Sequence, residues 1–170
     1  FSYCVNEEFY NIDPKKLMPH VKNTIERGSK VMASDYAKAL AQLMEYRSKM
    51  DKIFDKYDYI LSPTVAIPPH KFNERPIINN GKIEILDITD DQMFDNNNYD
   101  YSSWIFVLAQ FTAPFNWSGN PAVSLPCGFT KSGLPVGLQL AGKKKSELSL
   151  LQASKAFENI KPWQQNRPKI

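Results

Sequence analysis

The clearest pattern in the chain runs from Ser34 to Tyr57. Apolar residues recur at Tyr36, Leu40, Leu43, Tyr46 (Arg47 by strict spacing), Met50, Phe54 and Tyr57, in steps of three and four. That spacing lays one stripe along a helix of about five or six turns, with Lys38, Glu45, Arg47, Lys49, Asp51 and Lys52 on the other face. Ser34 suits the N-cap, and Asp35 suits the positive end of the first turn. A second stripe, Leu148, Leu151, Phe157 and Ile160 with Ala153 and Ala156, predicts a last helix that starts near Ser146 and ends at Pro162. A third helix is expected over Ser102 to Phe111, capped by Ser102 or Ser103 and stopped by Pro114. Asp13-Pro14-Lys15-Lys16-Leu17 reads as a further helix start, with Asp as N-cap and Pro in the first turn.

Between the helical stripes the pattern shortens. Tyr59-Ile60-Leu61 is a β-prone run that ends at Ser62-Pro63-Thr64 and Ile67-Pro68-Pro69, a strand feeding a proline-rich loop. Ala122 to Phe129 and Leu134 to Leu140 flank Thr130-Lys131-Ser132-Gly133, which predicts a β-hairpin with glycine in its turn. Phe115 to Pro121 is dense in turn formers and aromatics. Residues 70–100 read as one long polar loop, with a turn at Asn79-Asn80-Gly81 and Asn96-Asn97-Asn98 near its end. The element pattern is that of an α/β protein, a single segment over residues 1–170.

Composition narrows the classes. The chain has 170 residues, 42% of them hydrophobic and 12% aromatic, enough for a real core, and 23% charged, which excludes wholesale disorder. No run of about 18 apolar residues occurs, so no transmembrane helix is expected. The opening FSYCVNEEFY lacks a basic region followed by an apolar one, so no signal peptide is read there and a cytoplasmic location is expected. It also lacks an initiator Met, which suggests a processed, trimmed or partial chain. The net charge of +3 is mild and uneven. From Ile83 to Thr130 there is no Lys or Arg, while Glu84, Asp87, Asp90, Asp91, Asp95 and Asp100 are acidic. A nucleic-acid binder would show a basic stripe instead. The single basic run, Lys143-Lys144-Lys145, reads as a solvated turn. Cys4 and Cys127 are too few for a disulfide scaffold or a zinc site, and Cys127 reads as a small buried hydrophobe.

Self-sufficient catalytic patterns are missing. There is no Ser-x-x-Lys, no Gly-x-Ser-x-Gly, no phosphate-binding glycine loop, no Cys-x-x-Cys and no His-Glu-x-x-His. The two histidines, His20 and His70, both follow prolines and read as surface residues. Asp87, Asp91 and Asp95 do not fit a calcium loop. Gln139 stands inside an apolar strand, where its amide needs partners if it is buried.

The order of several short segments carries more. Tyr57-Asp58-Tyr59-Ile60-Leu61-Ser62-Pro63-Thr64 resembles a stretch of the amidase signature family. Thr112-Ala113-Pro114-Phe115-Asn116-Trp117-Ser118-Gly119-Asn120-Pro121-Ala122 and Val123-Ser124-Leu125-Pro126-Cys127-Gly128 are similar to that family's next segments. So are Gly133-Leu134-Pro135-Val136-Gly137-Leu138-Gln139-Leu140, then Glu147 with Leu150-Leu151, Phe157-Glu158, and Trp163 with Arg167-Pro168. Upstream, Arg27-Gly28 and Ala33-Ser34-Asp35-Tyr36 fit as well. The matches are collinear from about residue 24 to 170.

The resemblance implies a fold and a limit. The fold is the C-terminal part of the amidase signature fold, a mixed β-sheet covered by helices. Family members hydrolyse carboxylic amide C–N bonds through a Ser–cis-Ser–Lys triad, an acyl-enzyme and a glycine-rich oxyanion loop. Those parts belong to a Gly/Ser-rich region that no position here matches, and the chain's seven glycines form no such stretch. The resemblance therefore implies scaffold and part of the acyl-pocket wall, with no catalytic residue, no metal and no cofactor. Phe111, Thr112, Phe115, Asn116 and Trp117 are the lining candidates it suggests. Core packing is the alternative role for the aromatics, and tying down its own loop is the alternative for Asn116. In the branch that uses glutamine, a basic residue and an acid stand where this chain has Thr24 and Ala109, so glutamine use is disfavoured, and the aromatic-rich pocket segment suggests an apolar or aromatic amide instead. The implied partners are a small-molecule amide and either the N-terminal part of the same enzyme or a further copy, with no nucleic acid and no membrane. A non-catalytic truncated paralogue acting as a binding module is the other reading.

Overall fold

The computed structural model describes residues 11, 14–17, 19–89 and 106–166. They fall into two compact units. One gathers the described residues up to Gln42 with those from Lys71 to Thr89; the other gathers Leu43–His70 with Phe106–Asn166. Expectations that rest on Cys4, Asp13, Asp90 to Asp100, Ser102, Ser103 or Arg167-Pro168 lie outside the described residues.

In the first unit, Pro14–Lys16 forms a single 3-10 turn, and the α-helix itself, α1, begins later, at Pro19–Ser29. Pro19 stands at the helix start, where a missing N–H costs nothing. Helix α2, Ala33–Phe54, has the expected length of 22 residues. Its first ten residues group with this unit and the rest with the other.

The stretch 70–100 does not run as one loop. Glu74–Asn79 (β2) and Lys82–Asp87 (β3) pair antiparallel, from Glu74↔Asp87 to Asn79↔Lys82. The turn sits where its residues predict: Asn80 has φ +48° and Gly81 φ +75°, the two left-handed positions of a type I′ turn. Pro76 and Ile78 oppose Ile85 and Ile83 on one face, while Ile77 opposes Glu84 on the other. The alternation has period two, but it is diluted by charges and a proline, so reading by polarity alone gives a loop.

The second unit holds a three-stranded antiparallel sheet ordered β1-β5-β4, from Tyr59–Pro63 (β1), Ala122–Phe129 (β4) and Pro135–Gly142 (β5). Strands β4 and β5 make the expected hairpin. Its turn closes with the Gly133 N–H donating to the Thr130 carbonyl at 3.0 Å, with Gly133 at φ +82°. On one sheet face Ile60 and Ala141 pack with Met50 and Phe54 of α2 and with Phe115, the buried core of this unit. The opposite face carries Leu125 and Leu140, 6% and 9% exposed. Helix α4, Glu147–Ile160, packs against β4 and β5.

Three local expectations are corrected. The turn of helix at 106–109 ends before Pro114, and Pro114 instead sits in the first turn of a separate short helix, α3, Ala113–Ser118. Proline lacks the donor that an N-terminal turn does not need, so it opens this helix. Gly119 ends it at φ +77°, its N–H donating to the Phe115 carbonyl at 2.9 Å. In α4 the buried residues are Leu150 and Ser154, while Leu148, Leu151 and Ile160 are 72%, 61% and 85% exposed. Ala153 and Phe157 of the expected stripe are half-buried, so the packed face is the expected one turned toward Leu150 and Ser154. Cys127 is half-buried, its thiol donating to the Val136 carbonyl at 3.4 Å.

Candidate functional site

The five lining candidates surround one short helix. Thr112 is its N-cap residue, and the Thr112 hydroxyl donates back to the Ala109 carbonyl at 3.3 Å. Phe115 faces the core with Met50, Phe54 and Ala141, 6% exposed, the core-packing alternative. Asn116 is exposed on the helix, where its backbone N–H reaches the Thr112 carbonyl at 3.3 Å. Trp117 is 59% exposed. Phe111 is half-buried. Phe111, Thr112 and Phe115 thus converge through the backbone of one turn, while Asn116 and Trp117 stand toward solvent.

Residues read from sequence only as a helix face hold this segment. The Tyr46 hydroxyl donates to the Pro114 carbonyl at 3.2 Å, and Arg47 Nε donates to the Trp117 carbonyl at 2.9 Å. The Tyr46 and Trp117 rings meet edge to face, 6.4 Å between centroids. Burial raises the Tyr46 phenol above its ordinary pKa. The Tyr46-Arg47 step is ambiguous in the helical pattern. The signal available there is that one of the two breaks the apolar spacing.

Gln139 has the partners its position demands. It is 3% exposed, and its Nε2 donates to the Phe111 carbonyl at 2.8 Å and to Ser62 Oγ at 3.0 Å. One amide therefore ties the candidate segment to the strand and to its neighbour β1. Two residues earlier, the Gly137 carbonyl accepts from the Thr64 N–H at 2.9 Å. A Cβ at Gly137 would lie 2.7 Å from Thr64 Oγ1 and 3.0 Å from Ser124 Oγ, and those two hydroxyls bond at 2.6 Å. Only glycine admits the loop that close.

That close approach forms one wall of a cleft of about 470 Å³. The loop from Val65 to His70, with Pro63, makes one side, Pro135, Val136 and Gly137 make the other, and Leu108 adds to the lining. None of the five candidates lines it. Among the described residues its walls are mostly apolar, four prolines stiffen them, and His70 is the one titratable residue that lines it. His70, expected at the surface, is half-buried there. His20's side chain lies outside the described residues. The Lys143-Lys144-Lys145 turn is not merely solvated: Lys144 pairs with Asp51 at 2.8 Å and Lys143 with Asp55 at 3.6 Å, surface pairs worth about 0–1 kcal/mol each. Among the described residues, no group of three His, Cys, Asp or Glu could hold a metal, and no helix is long and apolar enough to cross a membrane.

The sheet, its helices and the proline-bounded strands agree with the family expected from the motifs, and comparison decides it. The family model described as Amidase matches residues 4–151. The chain belongs to the amidase signature family. A glutamyl-tRNA(Gln) amidotransferase subunit from Thermodesulfovibrio yellowstonii is 31% identical over 87% of the chain and 27% of that relative. A 6-aminohexanoate-cyclic-dimer hydrolase from Paenarthrobacter ureafaciens is 29% identical over 86% of the chain and 28% of that relative. A solved 6-aminohexanoate cyclic dimer hydrolase, with its substrate, shares the fold with TM-score 0.71 at 23% identity, over 92% of this chain and 30% of that one. The chain thus spans a little over a quarter of the curated relatives it matches.

Proposed function

We propose that this chain supplies the C-terminal scaffold and part of the acyl-pocket wall of an amidase that hydrolyses carboxylic amide C–N bonds through an acyl-enzyme. The nucleophile would come from another stretch of polypeptide. The observation that carries this reading is Gln139, whose buried amide clamps the Phe111 carbonyl to the sheet in a chain of the amidase signature family. A clamp of this kind fixes a pocket segment to a rigid element, which suits substrate positioning. The exposed apolar residues agree: Leu61, Trp117, Leu148 and Leu151 are each about 60% exposed or more, and β1 and β4 are edges of the described sheet. Such surface in a chain about a quarter of its relatives' length suits coverage by further amidase polypeptide. It weighs against the alternative of a stand-alone binding module, which needs a closed core.

The test is to recover the native protein from its source with an antibody to this segment, then treat it with a serine-directed fluorophosphonate. Covalent label on a polypeptide that contains or accompanies these residues, together with carboxamide hydrolysis, is expected. A native protein that takes no label and hydrolyses no amide would sink the reading.

A further inference from the structure

The cleft between the Val65–His70 loop and the start of β5 is unassigned by the motifs, and its chemistry is selective. Among the described residues its lining includes Val65, Ile67, Leu108 and Val136, and no Asp, Glu, Lys or Arg. Free glutamine carries an ammonium and a carboxylate, and both lose hydration on entering such walls with no opposite charge to meet them. An alkyl or aryl group loses nothing comparable and gains burial. The walls are also preorganised. Pro63, Pro68, Pro69 and Pro135 restrict their backbone, and Gly137 lets Thr64 lock onto β5 through the 2.9 Å backbone bond and onto β4 through the 2.6 Å bond to Ser124. The cleft is joined to the candidate pocket segment along β5, because Gln139, two residues beyond Gly137, holds the Phe111 carbonyl at 2.8 Å.

We propose that this cleft receives the apolar alkyl or aryl part of an amide substrate and disfavours glutamine, an inference that rests on the amidase reading. This separates the chain from what the names of its amidotransferase relatives would suggest, and it does so from the lining alone.

The complete native protein that contains these residues, deuterated and labelled with nitrogen-15, would be titrated with hexanamide, acetanilide and L-glutamine, with the amide resonances of this segment as the readout. Hexanamide or acetanilide should shift Val65, Ala66, Ile67, Leu108, Val136 and Gly137 at concentrations at least about tenfold below any at which glutamine does. Val136→Asp should weaken that binding about tenfold or more, and Leu108→Asn serves as the second variant if the first loses its dispersed spectrum. Ile85→Asp, on the hairpin of the other unit, should leave it unchanged. Glutamine binding equally well, or apolar amides that move none of these resonances, would overturn the proposal. Cleft binding without fluorophosphonate labelling of the native protein would overturn the amidase reading and leave the cleft's selectivity standing. Labelling with an unresponsive cleft would do the reverse.

Discussion

The chain contains two antiparallel hairpins with correct turn chemistry and opposite fates. In β2–β3 every residue of the second strand is exposed. In β4–β5 the last four residues of the second strand, Gln139 to Gly142, are all buried. Both turns use glycine at positive φ, Gly81 at +75° and Gly133 at +82°. Turn geometry therefore does not distinguish them; cover does. Helices α2 and α3 bury one face of the β4–β5 sheet through Met50, Phe54 and Phe115, and α4 packs on the strands as well. The first hairpin buries Pro76 alone among its strand residues, while the second has a helix-covered face on which a site can be held.

The largest expected effect breaks the covered hairpin. Phe115→Ala removes the aromatic that meets Ala141, and should cost about 3–5 kcal/mol. Ile85→Ala on the other hairpin, where the side chain is 46% exposed, should cost less than about 1 kcal/mol. Urea unfolding of each variant, with amide exchange to show which hairpin opens, measures the contrast. Equal losses would show that cover is not what separates the two.

Next in size is the polar clamp. Gln139→Leu keeps the bulk but strands the Phe111 carbonyl and Ser62 Oγ, at a cost of about 1–3 kcal/mol. Amide exchange should rise first over residues 106–118, ahead of the β4–β5 ladder. If exchange rises uniformly, the amide holds the sheet as a whole and not the candidate segment.

How much of this is legible in the sequence follows the same contrast. Turns and helices are local, so Asn80-Gly81, Gly133, α2 and α4 are readable from a few residues each. The strands of β2–β3 are not, because Glu74, Arg75, Pro76 and Glu84 dilute the two-residue period, and the residue that packs most deeply, Pro76, reads as a strand breaker. The buried face of α4 is legible only in part, because packing turns the expected face toward Leu150 and Ser154. The need of Gln139 for partners is visible; the identity of Phe111 and Ser62 is not, since both are distant in sequence. The cleft leaves no trace in the pattern. Its walls come from segments about 70 residues apart, and the residue that lets them close, Gly137, reads as one more glycine in a strand.

A smaller effect sharpens the role of the turns. Gly81→Ala forces a side chain to φ +75°, at a cost of about 1 kcal/mol. Because every residue of β3 is exposed, that loss should lower its exchange protection more than the same change lowers that of β4–β5. Gly133→Ala carries the same local cost at φ +82° but should leave protection of Gln139 to Gly142 within about threefold of the parent. If both hairpins lose protection alike, the turns rather than the helices hold them.

The smallest effect is set by pH and acts only on the covered side. Burial raises the Tyr46 phenol above its ordinary value, so the folded state holds that proton more tightly than the unfolded chain does. Its contribution is then fully present below the unfolded value near 10 and is lost as pH rises through the folded one. The same proton makes the 3.2 Å bond to the Pro114 carbonyl, so its loss leaves two oxygens facing each other at the start of α3. Tyr46→Phe should lower stability at pH 8 by about 0.5–1.5 kcal/mol, the ordinary worth of one hydrogen bond. The gap to the parent should narrow between about pH 9 and 11, because only the parent can lose this proton. Groups common to the two proteins cancel in the difference. The urea midpoints of the two proteins, compared across that range, read the effect directly. A gap that stays constant would mean the phenol proton does not help to hold α3 on α2.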